Sequence, residues 1–446
     1  MKRSASLFLS LLLLCVVACD TKDDAATDDT AVTDVAADTD AVTADELLTD
    51  TDAAEPPTAI AEQAFGAFAA WSSPIEDFRL FGVNDNIEGF TQEITDLVVF
   101  DDQLWLGYGD ANLNFGTKLT GIGAGGIQFR YFDDPDNATA KGDLNSGEEM
   151  IEHYRLFDGG LWYAGVDSTD QDELTSRPLI GGNFYRHDDD GWKKFRSVPG
   201  GEHVHDTAFF DGRIFTVGSG ATDRTEWEAG NIFRYLWESS DRGETFTVTH
   251  RIGHPTQGGT GDSRFVHLLP VGDTMYLFGY WSDFAQNQAY VANAHYDGAA
   301  VTEFVTEDTS LLKGIWPTAT LPLPNDTGLV WGVNVDTATL KYQIWQVAAD
   351  GTVTALDAFT GKQVFDVGYY PDTEELIYLV YDGDAYADLV DPVATTVYAA
   401  PLADPNDIKE IATYNDTPRI VSVAYWQGYL FAGTNDCRIF RASATD

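Results

Sequence analysis

Four of the eight histidines, His153, His203, His205 and His267, stand close to carboxylates or at the start of apolar runs. The stretch "EEMIEH" brings Glu149 and Glu152 beside His153, and "GGEHVHD" brings His203 and His205 beside Asp206. Asp96, with Glu93 nearby, and Asp366 open two further runs of the same texture. Imidazoles and carboxylates that converge on one concave site have three uses. They can hold a divalent metal, with zinc or manganese suited to the mixed nitrogen and oxygen donors. They can divide general-acid and general-base roles, because imidazole titrates near neutrality. They can also line a watery channel and fasten its strands, with no ligand at all. Residue types leave all three open, and spacing decides whether the groups meet.

The elements that must position them form a repeat. "FDDQLWLGYGD", "FDGGLWYAGVD", "FDGRIFTVGSG", "GDTMYLFGYWSD", "TGLVWGVNVD", "EELIYLVYDGD" and "WQGYLFAGTND" follow one another at intervals of about fifty to sixty residues. Their aligned positions are Gly107, Gly165, Gly218, Gly279, Gly332, Val380 and Gly433. In each, Asp, Asn or Gly supplies a tight hairpin between apolar, aromatic-rich strands. A second strand–acidic turn–strand pattern follows, as in "NFYRHDDDGWKKF" and "QIWQVAADGTVTAL". This period predicts an all-β, seven-bladed β-propeller of four-stranded antiparallel blades. The seventh unit, "IVSVAYWQGYLFAGTNDCRIFRAS", stops after three strands. An N-terminal strand is therefore expected to complete that blade, and Phe78–Val83, "FRLFGV", is the expected segment.

The first strand of each blade lines the channel. Four places back from the aromatic before the first hairpin stand Asp96, His153, Asp206, Asp366 and Ser422, in units one, two, three, six and seven. A small adjustment gives His267 and Thr318 in units four and five. All seven are polar, which makes the channel the candidate ligand or metal site. Most aromatics, Trp105 and Trp162 among them, are expected to pack between blades. "GIGAGG" has the G-x-G-x-x-G spacing at Gly121, Gly123 and Gly126 but precedes a strand, which argues against a dinucleotide site. "DLNSGEE" and "DDPDN" miss the full calcium-loop pattern and are expected to be solvated turns.

One stretch carries a resemblance. In "ESSDRGETF", Ser239, Asp241, Gly243, Thr245 and Phe246 resemble the Asp-box, or BNR repeat, of sialidase-like propellers. In that group the motif joins the two outer strands of a blade, far from the catalytic face, so the resemblance implies fold rather than activity. Sialidases also share an arginine triad, a tyrosine–glutamate pair and an acidic aspartate. Here "FRLF" offers Arg79 without the usual proline, Arg264 and Arg419 precede inner strands, and no clear tyrosine–glutamate pair stands out. A glycan-active hydrolase or lyase is the alternative to a binding or scaffold module.

At the other end, Lys2 and Arg3 precede an apolar run, Leu7 to Val17, shorter than the roughly 20 residues of a membrane-spanning helix. That order reads as an export signal over residues 1–18. "VVAC" resembles the lipobox of bacterial lipoproteins, which implies acylation of Cys19 and membrane attachment, periplasmic or at the cell surface. Residues 19–57, rich in Asp, Thr and Ala, carry thirteen acids against Lys22 and read as a disordered tether before a propeller domain over 58–446. Cys437 is then the one thiol left, expected as a small buried strand residue. The formal charge of −46 argues against nucleic acid or anionic lipid as a partner and suits basic partners, metal cations or, best of the three, simple solubility.

Overall fold

The computed structural model describes residues 57–445 apart from 76–92, 110–126, 149, 167–180, 224, 227–228, 230–231, 254–260, 284–287, 306–307, 337–341 and 383–393. The expectations for Cys19, the tether, Phe78–Val83, the "GIGAGG" glycines and Glu149 lie outside these residues. Among the described residues no helix is long and apolar enough to cross a membrane.

Seven antiparallel sheets follow one another along the chain, each a blade. Their inner strands are Glu93–Phe100, Arg155–Phe157, Gly201–Phe210, Gly261–Val271, Ile315–Leu323, Lys362–Tyr370 and Ile420–Trp426. Each runs into a tight hairpin, and left-handed residues such as Asp158 (φ 47°) and Gly159 (φ 66°) make the reversal that "FDG" announces. In blade 4 the third strand is split into Gln288–Val291 and Ala294–Tyr296. Neighbouring blades share their apolar faces. Trp105, Phe129, Tyr163 and Trp192 join blades 1 and 2, with Phe129 stacked on Trp192 at 3.7 Å. Leu236, Phe265 and Leu277 join blades 3 and 4. Each such side chain stabilises by roughly 1.5–3 kcal/mol when fully buried, so a ring of blades gives a long chain a core in every groove.

The recurring glycine has a geometric cause. In six blades the inner strand carries a bulge just before or within one residue of the register position; in blade 3 it places His205 between the pairs Val204–Gly218 and Asp206–Val217. A bulge pushes backbone toward the second strand and re-aims the next side chain. A Cβ at Gly218, Gly279 or Gly332 would collide with the carbonyl of His203, Arg264 or Trp316, and one at Gly107 would lie 2.6 Å from Asp96 Cβ. Blade 6 has the same bulge opposite Val380, so glycine relieves the crowding rather than creating the bulge.

An N-terminal strand does close the seventh blade, but not the expected one. Ala64–Phe65 and Ala69–Ala70 pair with Ile439–Thr445, the last strand, and fill the outer position. Phe65 and Phe68 bury into the core between blades 6 and 7, while Trp71 packs on Phe132 and Phe431 at the other face. The alanines of "AFGAFAA" have low strand propensity, so the segment gave no strand signal; buried phenylalanines hold it instead. Cys437 is buried as expected, yet it sits in the turn before that last strand with φ 62° rather than in a strand.

The "ESSDRGETF" turn joins Phe233–Ser239 to Thr247–Ile252, the outer strands of blade 3. Asp241 accepts the Thr245 N–H at 2.9 Å and the Ser239 hydroxyl at 2.7 Å, and Ser239 Oγ accepts the Gly243 N–H at 2.9 Å. Phe246 packs edge-on against Phe184 of blade 2. The turn is architecture.

Candidate functional site: the channel between blades 2, 3 and 4

A cavity of about 1230 Å³ runs along the axis, lined by the inner strands. On one side the structure brings together His153, Asp206 and His267, from blades 2, 3 and 4, with one ligand-type atom of each within 4.8 Å of the others. His153 sits two residues before its strand, while Asp206 and His267 follow the bulges of theirs.

Asp206 is the hub. Its Oδ1 accepts from His153 Nε2 at 3.0 Å, Arg155 Nε at 2.8 Å and the Thr207 N–H at 2.7 Å. Its Oδ2 accepts from Arg155 at 2.7 Å and from the Leu268 N–H of blade 4 at 2.7 Å. Arg155 also donates to the carbonyl and hydroxyl of Thr320 in blade 5, so one guanidinium spans the channel. Burial opposes the charge on Asp206, yet Arg155 and His153 outweigh it and hold the carboxyl well below the usual range.

The imidazoles divide. Burial disfavours a charged His153, but the Asp206 carboxylate overrides this and raises its pKa. His267, whose Nδ1 lies 4.0 Å from Asp206 Oδ2, has no such bond; burial pushes it down to about 4. Burial likewise lowers His205, which stacks parallel to His203 at 6.0 Å. Glu152, 39% exposed at the side chain, lies 4.0 Å from His205 Nδ1. Burial alone would raise it, but the His205 and His153 rings bring it down to about 2. Two buried nitrogens, His205 Nε2 and His267 Nδ1, have no hydrogen-bond partner among the described residues.

The far side of the channel differs. Asp96 accepts the Tyr154 N–H of blade 2 at 2.7 Å, and Asp366 accepts the Val423 N–H of blade 7 at 2.8 Å. Ser422 donates to Ile94 of blade 1 at 2.6 Å, and Thr320 to Leu268 of blade 4 at 2.7 Å. With Asp206 on Leu268, these polar residues tie neighbouring blades together along the channel wall. Burial, then the charge of Asp96, raises Asp366 to about 7. The strand-fastening use is therefore real for Asp96, Asp366 and Ser422.

Several expectations need correction. In blade 5, Ala319 takes the register position and Thr318 is the bulged residue; Thr320 makes the polar contacts. His203 lies beside Glu202 and Ser219 rather than in the triad. Arg155 was not singled out, although a cation inside the apolar run "YRLF" was its signal. A divalent metal does not fit the triad: both Asp206 oxygens are engaged, and the Arg155 guanidinium already neutralises the carboxylate. Nor are Arg264 and Arg419 placed to grip a ligand's carboxylate. Arg264 pairs with Asp262, and Arg419 with Glu93 at 3.0 Å. Outside the channel, Glu148 of "DLNSGEE" is buried and bonded to Asn183 and Tyr185, which is a structural role.

No known family and no curated protein matches the sequence. Solved structures are similar over most of the chain. A catalytically inactive virginiamycin B lyase from Staphylococcus aureus, crystallised with quinupristin, is similar over 80% of this chain and 97% of its own, at 12% identity and TM-score 0.40. An ulvan lyase of a polysaccharide lyase family covers 81% and 97%, at 10% identity and TM-score 0.42. The propeller domain of a trilobed protease from Pyrococcus furiosus covers 80% and 94%, at 9% identity and TM-score 0.41.

Proposed function

We propose that this chain is an exported binding module, lipid-anchored through Cys19, whose channel captures a small uncharged polar ligand such as a neutral sugar. The observation that carries the reading is His267, which lines the cavity and whose buried Nδ1 has no hydrogen-bond partner among the described residues, beside an otherwise saturated hub. Leaving a buried polar atom without a bond costs about 1–3 kcal/mol, and a ligand hydroxyl would recover it. Sialic acid and other carboxylate sugars suit the site poorly, because Arg155, Arg264 and Arg419 each already serve a carboxylate.

Acid–base turnover of such a glycan is the second reading. It is favoured by the opposed states of His153 and His267, whose ring centres lie 5.8 Å apart. A charged His153 would donate a proton and a neutral His267 would accept one, the division that opposed environments produce. The test is a glycan array with calorimetry on the wild type and His267→Gln. Neutral glycans should bind the wild type and bind the variant more weakly at unchanged melting temperature at neutral pH. Equal binding by both proteins would remove the site from this face. Product formation that His153→Gln abolishes would select the enzymatic reading.

A further inference from the structure

Three places beyond the polar register, each inner strand carries a second ring, facing the hairpin end of the same cavity. It is apolar or aromatic in every blade: Val99, Leu156 and Phe209, then Pro270 and Pro322, then Tyr369 and Tyr425. Three strand residues separate the rings by about 10 Å. Leu156 and Phe209, in blades 2 and 3, are 53% and 41% exposed. Contiguous exposed apolar surface of this kind marks an interaction site.

Two observations identify the occupant. The first is that a polypeptide already lies there. Pro57, Thr58, Ile60 and Gln63 line this end of the cavity on the side of blades 6 and 7. Glu375 accepts the Ile60 and Ala61 N–H groups at 2.5 and 2.9 Å, and Gln63 donates to Tyr425 at 3.2 Å. Leu156 and Phe209 face the cavity from the opposite blades. The second is charge. The hairpin turns set an exposed acid in six of the seven blades: Asp102, Asp158, Asp211, Asp273, Asp326 and Asp372. Arg242 pairs with Asp158 and Arg213 with Asp211, which leaves the collar strongly negative.

We infer that this face of the channel docks an extended segment of a partner protein, with apolar side chains set between lysines or arginines. The apolar residues enter the ring opposite Pro57–Gln63, and the cations meet the collar. An anionic membrane would be repelled by the same acids. The site is distinct from the His153–Asp206–His267 cluster.

The test is fluorescence anisotropy with a dye-labelled peptide of alternating lysine and leucine. Peptides of alternating lysine and serine, and of glutamate and leucine, serve as controls. The lysine–leucine peptide should bind, and added salt should weaken it. Phe209→Ser and Leu156→Ser should each lower affinity roughly tenfold, the effect of losing one central anchor. Both residues are exposed, and unchanged thermal melts would show that the fold is kept. Asp326→Asn with Asp372→Asn should weaken binding and flatten its salt dependence; Asn tolerates the φ of 54° at residue 326. His267→Gln should bind the peptide as the wild type does, whatever its effect on sugars. No binding of the lysine–leucine peptide would overturn the inference. So would equal binding of the lysine–serine control, full affinity in both serine variants, or sedimentation with anionic vesicles instead.

Discussion

Asp366 and His267 lie in one channel and respond to pH in opposite senses. Asp366 has its folded pKa raised to about 7, well above the ordinary carboxylate value. Its contribution is complete when the carboxyl is protonated, below about pH 4, and is lost as pH rises toward 7. His267 has its folded pKa lowered to about 4. Its contribution is present above about pH 6.5 and is lost as pH falls toward 4. Single variants separate the two. Relative to wild type, Asp366→Asn should melt higher at pH 8 and lose that advantage at pH 5, since the amide oxygen can still accept the Val423 N–H. His267→Gln should gain on the wild type at pH 5 instead. Melting curves of the three proteins at both pH values check this, and parallel pH profiles would show that neither group is perturbed as described. Asp206 belongs to neither pattern, because Arg155 keeps it ionised throughout this range.

Blades are built to a common plan, but the ends of the chain decide whether the ring closes. The strand Ile439–Thr445 finds its outer partner in Ala64–Phe65 and Ala69–Ala70, and Ile60, Phe65 and Phe68 add their burial to the same groove. Removing residues 1–56 takes none of these contacts and should leave the melting temperature unchanged. Removing residues 1–70 strips the blade edge and uncovers the core between blades 6 and 7, an unpaired strand edge prone to association. That truncation should melt many degrees lower and tend to aggregate. Coincident melts of the two truncations would show that the pairing contributes little. The corrected segment matters to the design of the experiment, because a boundary placed just before Phe78 would already have removed the closing strand.

In the whole molecule, the two proposed binding faces lie about 10 Å apart along one cavity, and the chain enters at the hairpin end, where Pro57–Gln63 sits. An acylated Cys19 would then attach the propeller from the side of its acidic collar. Cys19→Ala should abolish incorporation of labelled fatty acid and move the protein from the membrane to the soluble fraction. Label retained by Cys19→Ala would place the acyl chain elsewhere or remove it from the account.

Seven blades, their hairpins and the polar register of six of them were legible from the sequence, and the reason is locality. A turn that needs left-handed residues, such as Asp158–Gly159, declares itself in two letters, and a strand shows its face by alternation. The repeated glycine likewise reports a crowding between two strands joined by one hairpin. That same register placed His153, Asp206 and His267 in one channel. What they do to one another was decided only by ring closure. The blade-to-blade bridges join residues some fifty to sixty places apart, such as Asp206 with Leu268 and Asp96 with Tyr154. Arg155 reaches Thr320 across three blades. Such pairings depend on blade tilt and on bulges that shift a strand by one residue, which no local pattern encodes. The closing strand was hidden for the same reason: Ala64–Ala70 has little intrinsic strand preference, and it is a strand because the rest of the propeller leaves an edge for it to fill.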